Sequence, residues 1–259
     1  MFVVVNVNNL EVEFAILDNS SGKVNLRFNI SALDKKTSDQ YISEIKNVFD
    51  YLKVDTTNID YVAILSVVPK FTHILEEFFN KYIKVKPLII ENKNINFGLL
   101  NGDVDKNSIP VDIFATTYAG AKLYNENIIV VNFGAITTFG IAVNNEFVGY
   151  VVYPSEDILS SILHEKITDF PEIAVRPTRE VYSTTKYNAM NCGIFNGMIG
   201  ACDNIINGIK GEFEKKDFKV VACCKNAELI QYSKTINIVD SDLVIKSIVE
   251  CAKEQLFSI

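Results

Sequence analysis

Two segments of this chain follow the same plan: an apolar run, a polar residue, a short turn and a second apolar run. One is Phe2–Asp18 (FVVVNVNNLEVEFAILD) and the other is Ile128–Asn144 (IIVVNFGAITTFGIAVN). Apolar runs of this length, joined by a short turn, are typical of a β-hairpin. A hairpin that occurs twice predicts a chain of two similar lobes, each of which begins with such a hairpin.

The rest of the chain alternates between strand and helix patterns after each hairpin. A third strand is expected near Lys23–Ile30, with its counterpart at Phe147–Tyr153. Helices are expected where apolar residues recur at helical spacing, at Ser38–Tyr51, Lys70–Tyr82, Pro110–Tyr124, Glu156–Glu165, Asn188–Lys216 and Asp242–Phe257. Further strands are expected at Tyr61–Val67, Lys86–Glu91, Phe218–Cys223 and Ile236–Val239. The polar stretch Asn92–Asn107 is expected to be a loop.

This pattern predicts an α/β protein with two similar lobes, residues 1–113 and 114–259. Each lobe is expected to hold a mixed β-sheet flanked by helices, with a cleft between the lobes. A chain of this length can bury a sizeable core without disulfides or metals.

Composition argues against several classes of partner. The chain has 259 residues and a formal net charge of −7, with a pI near 5.0, which disfavours a nucleic-acid-binding surface. The sequence has no apolar run of about 18 residues, the length that a membrane-spanning helix needs. The N-terminal segment lacks the basic start of a signal peptide. We therefore expect a cytoplasmic protein that binds a small molecule and contacts neither nucleic acid nor membrane.

The five cysteines and two histidines show no spacing typical of a metal site. Cys223 and Cys224 are adjacent in an apolar strand, and all five cysteines are expected to be reduced, mostly buried thiols. His73 lies on a predicted helix and His164 at the end of another, without a second metal ligand at suitable spacing. Both histidines are expected to be ordinary surface or core residues.

The two hairpin turns are the candidate binding elements. In a two-lobed phosphate-binding fold, each turn offers backbone N–H groups to a phosphate. The polar residue at the end of the first strand would normally be an aspartate that holds a metal ion or its water. Both residues are amides in this chain, Asn6 and Asn132, so each position lacks the expected negative charge.

Several short motifs match those of a known family at the same spacing. Asn6-Val7-Asn8-Asn9-Leu10 stands where this family opens with D-V-G-N-T, and Pro110-Val111-Asp112-Ile113 stands where it has G-A-D-R. Asn132-Phe133-Gly134-Ala135-Ile136-Thr137-Thr138 corresponds to D-F-G-T-A-T-T. Ser183-Thr184-Thr185-Lys186 and Met190-Asn191-Cys192-Gly193 correspond to G-K-N-T and M-Q-x-G, and Ala222-Cys223-Cys224-Lys225 to A-T-G-G. Over almost its whole length the chain resembles the type III pantothenate kinases, a family that includes proteins named Bvg accessory factor.

The resemblance implies a fold, a reaction and a set of ligands. The family belongs to the superfamily of acetate and sugar kinases, heat-shock chaperone ATPases and actin, which implies two lobes of the actin-like ATPase (ribonuclease H-like) type. Its members phosphorylate pantothenate with ATP at the first step of coenzyme A biosynthesis. The implied cofactors are ATP with Mg²⁺ and a monovalent cation, and the implied partner is a second copy, bound through the second lobe.

The resemblance also assigns roles to individual residues. It makes Asp112 the base that accepts the proton of the substrate hydroxyl, although an acid in a first helical turn also suits a purely structural role. Contacts to phosphate or nucleotide are implied for Asn6, Asn8, Asn9, Gly134, Thr137 and Thr138. Asn6 and Asn132 stand at the aspartate positions for Mg²⁺ and the monovalent cation. An ordinary Asn-rich hairpin turn is the alternative interpretation of Asn6.

Three positions differ from the family in ways that affect its ligands. Ile113 replaces an arginine that clamps the substrate carboxylate, and an alkyl chain cannot form that charge-assisted pair. Lys186 stands at a substrate-binding threonine position, where it either replaces the lost cation or points to solvent. Cys224-Lys225 replaces a Gly-Gly pair beside the adenosine, where side chains would crowd the nucleotide.

The long helix predicted from Asn188 has two features that bear on assembly. Its apolar residues exceed what one lobe needs, which favours a dimer interface formed by Ile194, Phe195, Met198, Ile199, Ile205 and Ile206. Its glycines, Gly193, Gly197 and Gly200, would allow close approach either of another helix or of a nucleotide.

Three functions are compatible with these observations. The first is a type III pantothenate kinase-like enzyme with weak or lost activity. The second is a non-catalytic paralogue that binds a small molecule or a protein, and the third is a kinase of another substrate. Lobe order, Asp112 and Thr137-Thr138 favour a kinase. The changes at Asn6, Asn132 and Ile113 favour impaired activity, because one such contact contributes about 3 kcal/mol to the reaction.

Overall fold

The computed structural model describes residues 1–19, 22–100, 105–213, 216–224 and 227–256. The chain divides into two compact units. The first comprises Met1–Asn96, Asp103–Ala115 and Val244–Ile259, and the second comprises Phe97–Gly102 and Thr116–Leu243. The C-terminal segment therefore belongs to the first unit, so the units are not the consecutive ranges 1–113 and 114–259.

Within the described residues, the first unit forms a mixed sheet of five strands in the order β3-β2-β1-β4-β5. These strands are β1 (Phe2–Val7), β2 (Glu11–Leu17), β3 (Val24–Ser31), β4 (Tyr61–Ser66) and β5 (Leu88–Ile89). β1, β2 and β3 pair antiparallel, whereas β4 pairs parallel with β1 and with β5. The parallel pairs need crossover connections, which the helices supply.

Two helices pack against one face of this sheet. α1 (Ser38–Tyr51) begins at a capping box, in which the side chains of Thr37 and Gln40 accept from each other's backbone N–H groups. This satisfies donors that the start of a helix leaves open. α2 (Pro69–Phe78) runs into a π-helical turn at Phe79–Ile83. The helices and sheet share one core, which includes Val3, Val5, Val7, Val12, Phe14, Ile16, Ile45, Phe49 and Phe78.

Two further helices involve the first unit. α3 (Val111–Leu123) follows 3₁₀ turns at Asn92–Asn94 and Lys106–Ser108. Its residues up to Ala115 belong to the first unit and its later residues to the second. α7 (Leu243–Leu256) ends the described chain and buries Ile245, Ile248, Cys251 and Ala252.

The second unit repeats the sheet order of the first. Over the described part of the chain it has six strands in the order β11-β10-β7-β8-β9-β6. They are β6 (Gly98–Leu99), β7 (Ile128–Phe133), β8 (Ile136–Val143), β9 (Glu146–Pro154), β10 (Lys219–Cys224) and β11 (Ile238–Val239). β7, β8 and β9 pair antiparallel, and β10 pairs parallel with β7 and β11. β7 to β11 thus correspond in order to β1 to β5.

The helices of the second unit are α4 (Glu156–Lys166), α5 (Lys186–Glu212) and the short α6 (Ala227–Ile230). α5 packs on the sheet through Cys202 and Ile206, which join a core with residues of β7, β8 and β10. No helix in the described parts of the chain is both long and apolar enough to cross a membrane.

The predicted fold is confirmed in its main features. The two hairpins lie in separate mixed sheets, and each sheet is joined by helices from the predicted segments. The predicted loop at Asn92–Asn107 is wrong in one detail, because Gly98–Leu99 pairs parallel with β9. A strand of two residues has no periodicity by which a sequence could reveal it.

Candidate active site

Asn6 is placed by the alternation of side chains along β1. Val3, Val5 and Val7 face the core shared with α1 and α2, so Asn6 lies on the opposite face of the sheet. Asn6 is only 8% exposed. Directly across the antiparallel ladder stands Glu13 of β2, which is 6% exposed. The amide that replaces the family aspartate therefore has a buried carboxylate as its cross-strand neighbour.

The turn after β1 is closed by its own side chain. Asn8 Oδ1 accepts hydrogen bonds from the backbone N–H groups of Leu10 (2.8 Å) and Glu11 (3.0 Å), and Asn8 N donates to Glu11 O (3.1 Å). Asn8 does not have a positive φ, so this backbone does not require a glycine there. Two backbone N–H groups of a turn that was expected to bind phosphate are thus engaged within the turn itself. Asn9 and Leu10 are exposed at its tip.

Asp112 lies in the first turn of α3. Burial raises the pKa of its carboxyl, and hydrogen bonds from the backbone N–H groups of Ile113 and of Asp112 itself offset part of that rise. A carboxylate with a raised pKa is a better proton acceptor near neutral pH than an ordinary one. Its neighbour Ile113 is only 4% exposed, which makes Ile113 a core residue at the position of the family's arginine.

The segment that leads into α3 is held by a buried amide, Asn92. Its Nδ2 donates to the backbone oxygens of Lys106 (2.6 Å) and Ile109 (2.7 Å). Both carbonyl groups lie just before the helix that carries Asp112. Asn92 therefore fixes where α3 begins, and with it the position of the candidate base.

The second hairpin has the same backbone plan with smaller side chains. Asn132 of β7 stands opposite Thr138 of β8, and Phe133 stands opposite Thr137. Thr137 and Thr138 are both buried, and Thr137 Oγ1 has no hydrogen-bond partner among the described residues. A buried hydroxyl without a partner is costly unless a ligand or water completes it.

Gly134 lies in the turn between β7 and β8. A Cβ added there would meet Ile136 O at 3.7 Å and Asn132 Oδ1 at 3.9 Å, which is ordinary van der Waals contact, and its φ is not positive. The internal packing of the second unit therefore does not require glycine at this position. Glycine at this position would let a ligand approach the backbone more closely than a larger residue would.

Lys186 is the first residue of α5. Its Nζ lies 3.4 Å from Asp169 Oδ2, and both side chains are mostly exposed, at 62% and 80%. An ion pair this exposed contributes little to stability. The side chain therefore lies on the surface of the second unit. Of the Cys224-Lys225 pair, Lys225 lies outside the described residues.

The remaining predicted residues have ordinary surroundings. Cys192, Cys202, Cys223 and Cys251 are buried and form no disulfide within the part of the chain that the structure describes. His73 is exposed beside Glu76, and His164 Nδ1 lies 2.8 Å from Phe170 O. Among the described residues, no group of three or more His, Cys, Asp and Glu side chains is arranged to hold a metal ion.

The apolar residues of α5 are used within the second unit. Ile194, Phe195, Met198, Ile199 and Ile206 are all buried, so the reason given for a dimer interface on this helix is wrong. The exposed face of α5 instead carries Gly193, Gly197 and Gly200, where an added Cβ would meet nothing within 4 Å. Sequence spacing alone could not show which face of a 27-residue helix is covered by its own sheet.

The residues of the first hairpin fit a divalent cation that accompanies a nucleotide. Mg²⁺ prefers oxygen ligands and commonly takes one or two from the protein and the rest from water and phosphate. The Asn6 amide oxygen and the Glu13 carboxylate are oxygen donors of this kind. The unpartnered Thr137 hydroxyl and the Gly134 turn fit a phosphate oxygen in the second hairpin.

Sequence reasoning missed two residues of the first unit, Glu13 and Asn92. The signal for Glu13 was present, because it is a charged residue between Val12 and Phe14 inside an apolar strand. Such residues are rarely buried unless they are paired or functional. Asn92 carried no signal, since it lies in a polar stretch with several other Asn residues.

Comparison with known proteins identifies relatives of one family. The type III pantothenate kinase family model matches residues 2–208. A type III pantothenate kinase of Ehrlichia canis (strain Jake) is 29% identical over 251 residues, covering 96% of this chain and 94% of the relative. A type III pantothenate kinase of Halalkalibacterium halodurans is 29% identical over 250 residues, covering 96% and 97%.

Solved structures show the same fold at much lower identity. A Campylobacter jejuni protein assigned to the Baf family of transcriptional activators has a TM-score of 0.58 at 14% identity, covering 98% of this chain and 99% of that one. A Sinorhizobium meliloti protein assigned as a 2-dehydro-3-deoxygalactonokinase has a TM-score of 0.59 at 8% identity, covering 98% and 96%. The predicted α/β fold with two mixed sheets is thereby confirmed. With a family match that extends over most of its length, the chain belongs to the type III pantothenate kinase family.

Proposed function

We propose that this protein phosphorylates pantothenate with ATP, at a rate lowered by the changes in its motifs. The observation that carries the proposal is Asp112. The family's carboxylate is retained in the first turn of α3, and burial raises the pKa of this group. A base so placed can accept the proton of the substrate hydroxyl as the phosphoryl group is transferred.

The second hairpin supports ATP as the donor. Gly134 leaves room for a ligand beside the backbone, and Thr137 presents a buried hydroxyl that no described residue satisfies. In this proposal the turn binds phosphate oxygens of ATP, with Thr138 beside it. Asn132, at the family's aspartate position for a monovalent cation, supplies an amide oxygen without charge. Bound Mg²⁺ would neutralise the phosphate charge, and Asn6 lies at the position from which the family holds it.

Three features explain why the rate should be low. Asn6 contributes no negative charge to a cation. The Asn8 side chain occupies two N–H groups of the first turn. Ile113 is buried and apolar where the family clamps the substrate carboxylate. Loss of one such contact costs about 3 kcal/mol in the transition state, so several together slow the reaction strongly even without full additivity.

The test is phosphoryl transfer from radiolabelled ATP to pantothenate, followed at saturating substrate with and without Mg²⁺. We expect Mg²⁺-dependent product at well below about 1 s⁻¹, the low end of ordinary turnover. Turnover at or above that rate would show that the motif changes do not impair the enzyme. Product from another alcohol but not from pantothenate would identify a kinase of a different substrate.

A non-catalytic binding protein is the second candidate, and the closed first turn favours it. A turn whose N–H groups are satisfied by Asn8 has fewer donors to offer a phosphate. Titration calorimetry with Mg²⁺ and ATP separates the two candidates. Binding of Mg²⁺-ATP together with turnover supports the kinase, whereas pantothenate binding without any nucleotide binding supports the binding protein.

We also propose that the protein is a cytoplasmic homodimer that associates through its second unit. The family resemblance suggests the dimer, and exposed apolar side chains of α4 and α5 support it, namely Ile162 and Tyr187, which are 47% and 44% exposed. The glycine face of α5 would allow close packing of a second copy. Sedimentation velocity at micromolar concentration should give a dimer, and a monomer would contradict the proposal.

A further inference from the structure

Glu13 is an unusual residue for its place in the fold. It lies in β2 between Val12 and Phe14, both of which belong to the core, yet its own side chain points to the other face of the sheet. The side chain is only 8% exposed. Burying a carboxylate costs several kcal/mol unless the group is paired or has a ligand, so its presence needs an explanation.

The visible partner of Glu13 is Arg27 of β3. Arg27 Nη1 lies 3.5 Å from Glu13 Oε1, and the arginine side chain is 33% exposed. Charge-assisted hydrogen bonds between nitrogen and oxygen are usually about 2.7–2.9 Å long. Arg27 stands opposite Ala15 rather than Glu13 in the ladder, so it reaches the carboxylate diagonally. The contact is therefore an ion pair without the close geometry that would explain a buried carboxylate by itself.

The position of Glu13 relative to Asn6 supplies a second explanation. The two residues are directly opposed on β2 and β1, where cross-strand Cβ atoms are about 4.5–5.5 Å apart. Asn6 stands where the family has its cation-holding aspartate. The Glu13 carboxylate therefore points to the same side of the sheet as an aspartate at position 6 would, one strand away. The added length of the glutamate side chain is enough to reach toward that space.

We propose that Glu13 holds the divalent cation of the bound nucleotide, or a water of that cation, in place of the carboxylate absent at Asn6. The negative charge has moved across the ladder from β1 to β2, while Asn6 contributes its amide oxygen beside it. Arg27 holds the Glu13 side chain in position. The inference rests on the proposed use of ATP with a divalent cation, and it concerns binding rather than the chemical step.

The experiment measures binding of Mn²⁺ with a non-hydrolysable ATP analogue, by titration calorimetry and by the electron paramagnetic resonance signal of Mn²⁺. The wild-type protein is compared with Glu13→Gln, which keeps the shape and removes the charge. We expect the variant to bind about 10- to 100-fold more weakly. Asn6→Asp combined with Glu13→Gln returns the carboxylate to β1 and should restore most of the lost affinity.

Two controls address the structural alternative. Glu44→Gln removes another paired carboxylate of the first unit and should leave Mn²⁺ binding unchanged. Glu44 lies on α1, and its Oε2 is 3.0 Å from Lys36 Nζ. Arg27→Gln removes the residue that holds Glu13 in position but keeps the carboxylate, so Mn²⁺ binding should fall much less than in Glu13→Gln, even where thermal stability falls. If Glu13→Gln does not fold, Glu13→Asp decides, because the shorter side chain keeps the charge on β2 but draws it back from the cation, which should weaken Mn²⁺ binding.

The outcomes separate this inference from the proposed function. Tight Mn²⁺-nucleotide binding that is equal in wild type and Glu13→Gln overturns the role of Glu13 and leaves the kinase proposal intact. Equal loss of binding in Arg27→Gln and Glu13→Gln also overturns it, since the pair would then be structural only. A wild-type protein that binds neither Mn²⁺ nor the nucleotide analogue overturns both proposals.

Discussion

The two hairpins share one backbone plan but differ in the chemistry around the amide near the end of the first strand. In the first hairpin, Asn6 stands opposite the buried carboxylate of Glu13. In the second, Asn132 stands opposite the hydroxyl of Thr138. The same register thus places an amide opposite a carboxylate in one unit and an amide opposite a hydroxyl in the other.

The turns of the two hairpins also differ in their side chains. The first is closed by the Asn8 side chain, which accepts two backbone N–H groups. The second contains Gly134, where a side chain would fit without strain, and it precedes the unpartnered hydroxyl of Thr137. Under the proposed function, the first hairpin would meet the cation and the second the phosphate oxygens. Apart from β6, strand order and pairing are the same in the two units, whereas the side chains at equivalent positions differ.

The largest expected effect concerns Asp112 in the first unit. Asp112→Asn should lower kcat/KM about 10²- to 10⁴-fold, because the amide cannot accept the proton of the substrate hydroxyl. Nucleotide binding, which we assign to the hairpins, should be nearly unchanged. The control is Asp39→Asn, which changes an exposed acid in the first turn of α1. A steady-state assay in which both variants retain the wild-type rate would remove Asp112 from the mechanism.

The same pair of variants tests the burial of Asp112. Burial raises the pKa of this carboxyl in the folded protein above its unfolded value. The group therefore favours folding below the unfolded-state pKa, and that contribution is lost as pH rises through the folded-state pKa. Asp112→Asn should thus raise the free energy of unfolding at neutral pH, whereas Asp39→Asn should not. Urea denaturation between acidic and neutral pH measures the difference.

A second prediction concerns how the second hairpin is supported. A Cβ at Gly120 of α3 would lie 2.5 Å from Val130 Cγ2 and 3.0 Å from Ile128 Cδ1 of β7. Gly120→Ala should therefore lower the free energy of unfolding by about 1–3 kcal/mol. Gly208→Ala is the matched helical control, with nothing within 4 Å of the added Cβ, and should gain up to about 1 kcal/mol. Equal changes in the free energy of unfolding would show that α3 does not pack this closely against the second hairpin.

A third prediction tests the turn of the second hairpin, in which Gly134 N donates to Ile136 O at 3.3 Å. Gly134→Ala should leave the free energy of unfolding unchanged, because the added Cβ meets only ordinary contacts. If the turn binds phosphate, the methyl group should weaken nucleotide binding about tenfold, equivalent to about 1.4 kcal/mol. Calorimetry with a non-hydrolysable ATP analogue measures the change. Unaltered affinity would mean that the turn does not contact the nucleotide.

The smallest effect is expected for a substitution in the turn of the first hairpin. There the change should strengthen nucleotide binding, whereas Gly134→Ala should weaken it. Asn8→Gly removes the acceptor that engages Leu10 N and Glu11 N, so nucleotide binding should tighten severalfold. The added backbone freedom should cost about 0.5–1 kcal/mol of stability. The control is Asn145→Gly in another turn, where φ is already +60° and glycine should cost little. Weaker nucleotide binding in Asn8→Gly would show that the Asn8 side chain serves the ligand directly.

The sequence by itself determined the elements of this protein. The hairpins at Phe2 and Ile128, the helix Ser38–Tyr51 and the long helix near Asn188 were all predicted to within a few residues. Their signals are local, because periodicity and capping residues act over a few positions along the chain. The motif spacing was also sufficient to indicate the family, which the comparison confirms.

The tertiary structure determined how those elements pair and pack against one another. Strand register placed Glu13 opposite Asn6, and packing of α5 on its sheet buried residues that had suggested a dimer interface. The C-terminal helix α7 joined the first unit, and Asn8 closed a turn expected to bind phosphate. Each of these results depends on contacts between residues far apart in the chain or on the orientation of one side chain. Local periodicity carries no information about either, since it specifies the faces of an element but not what each face meets.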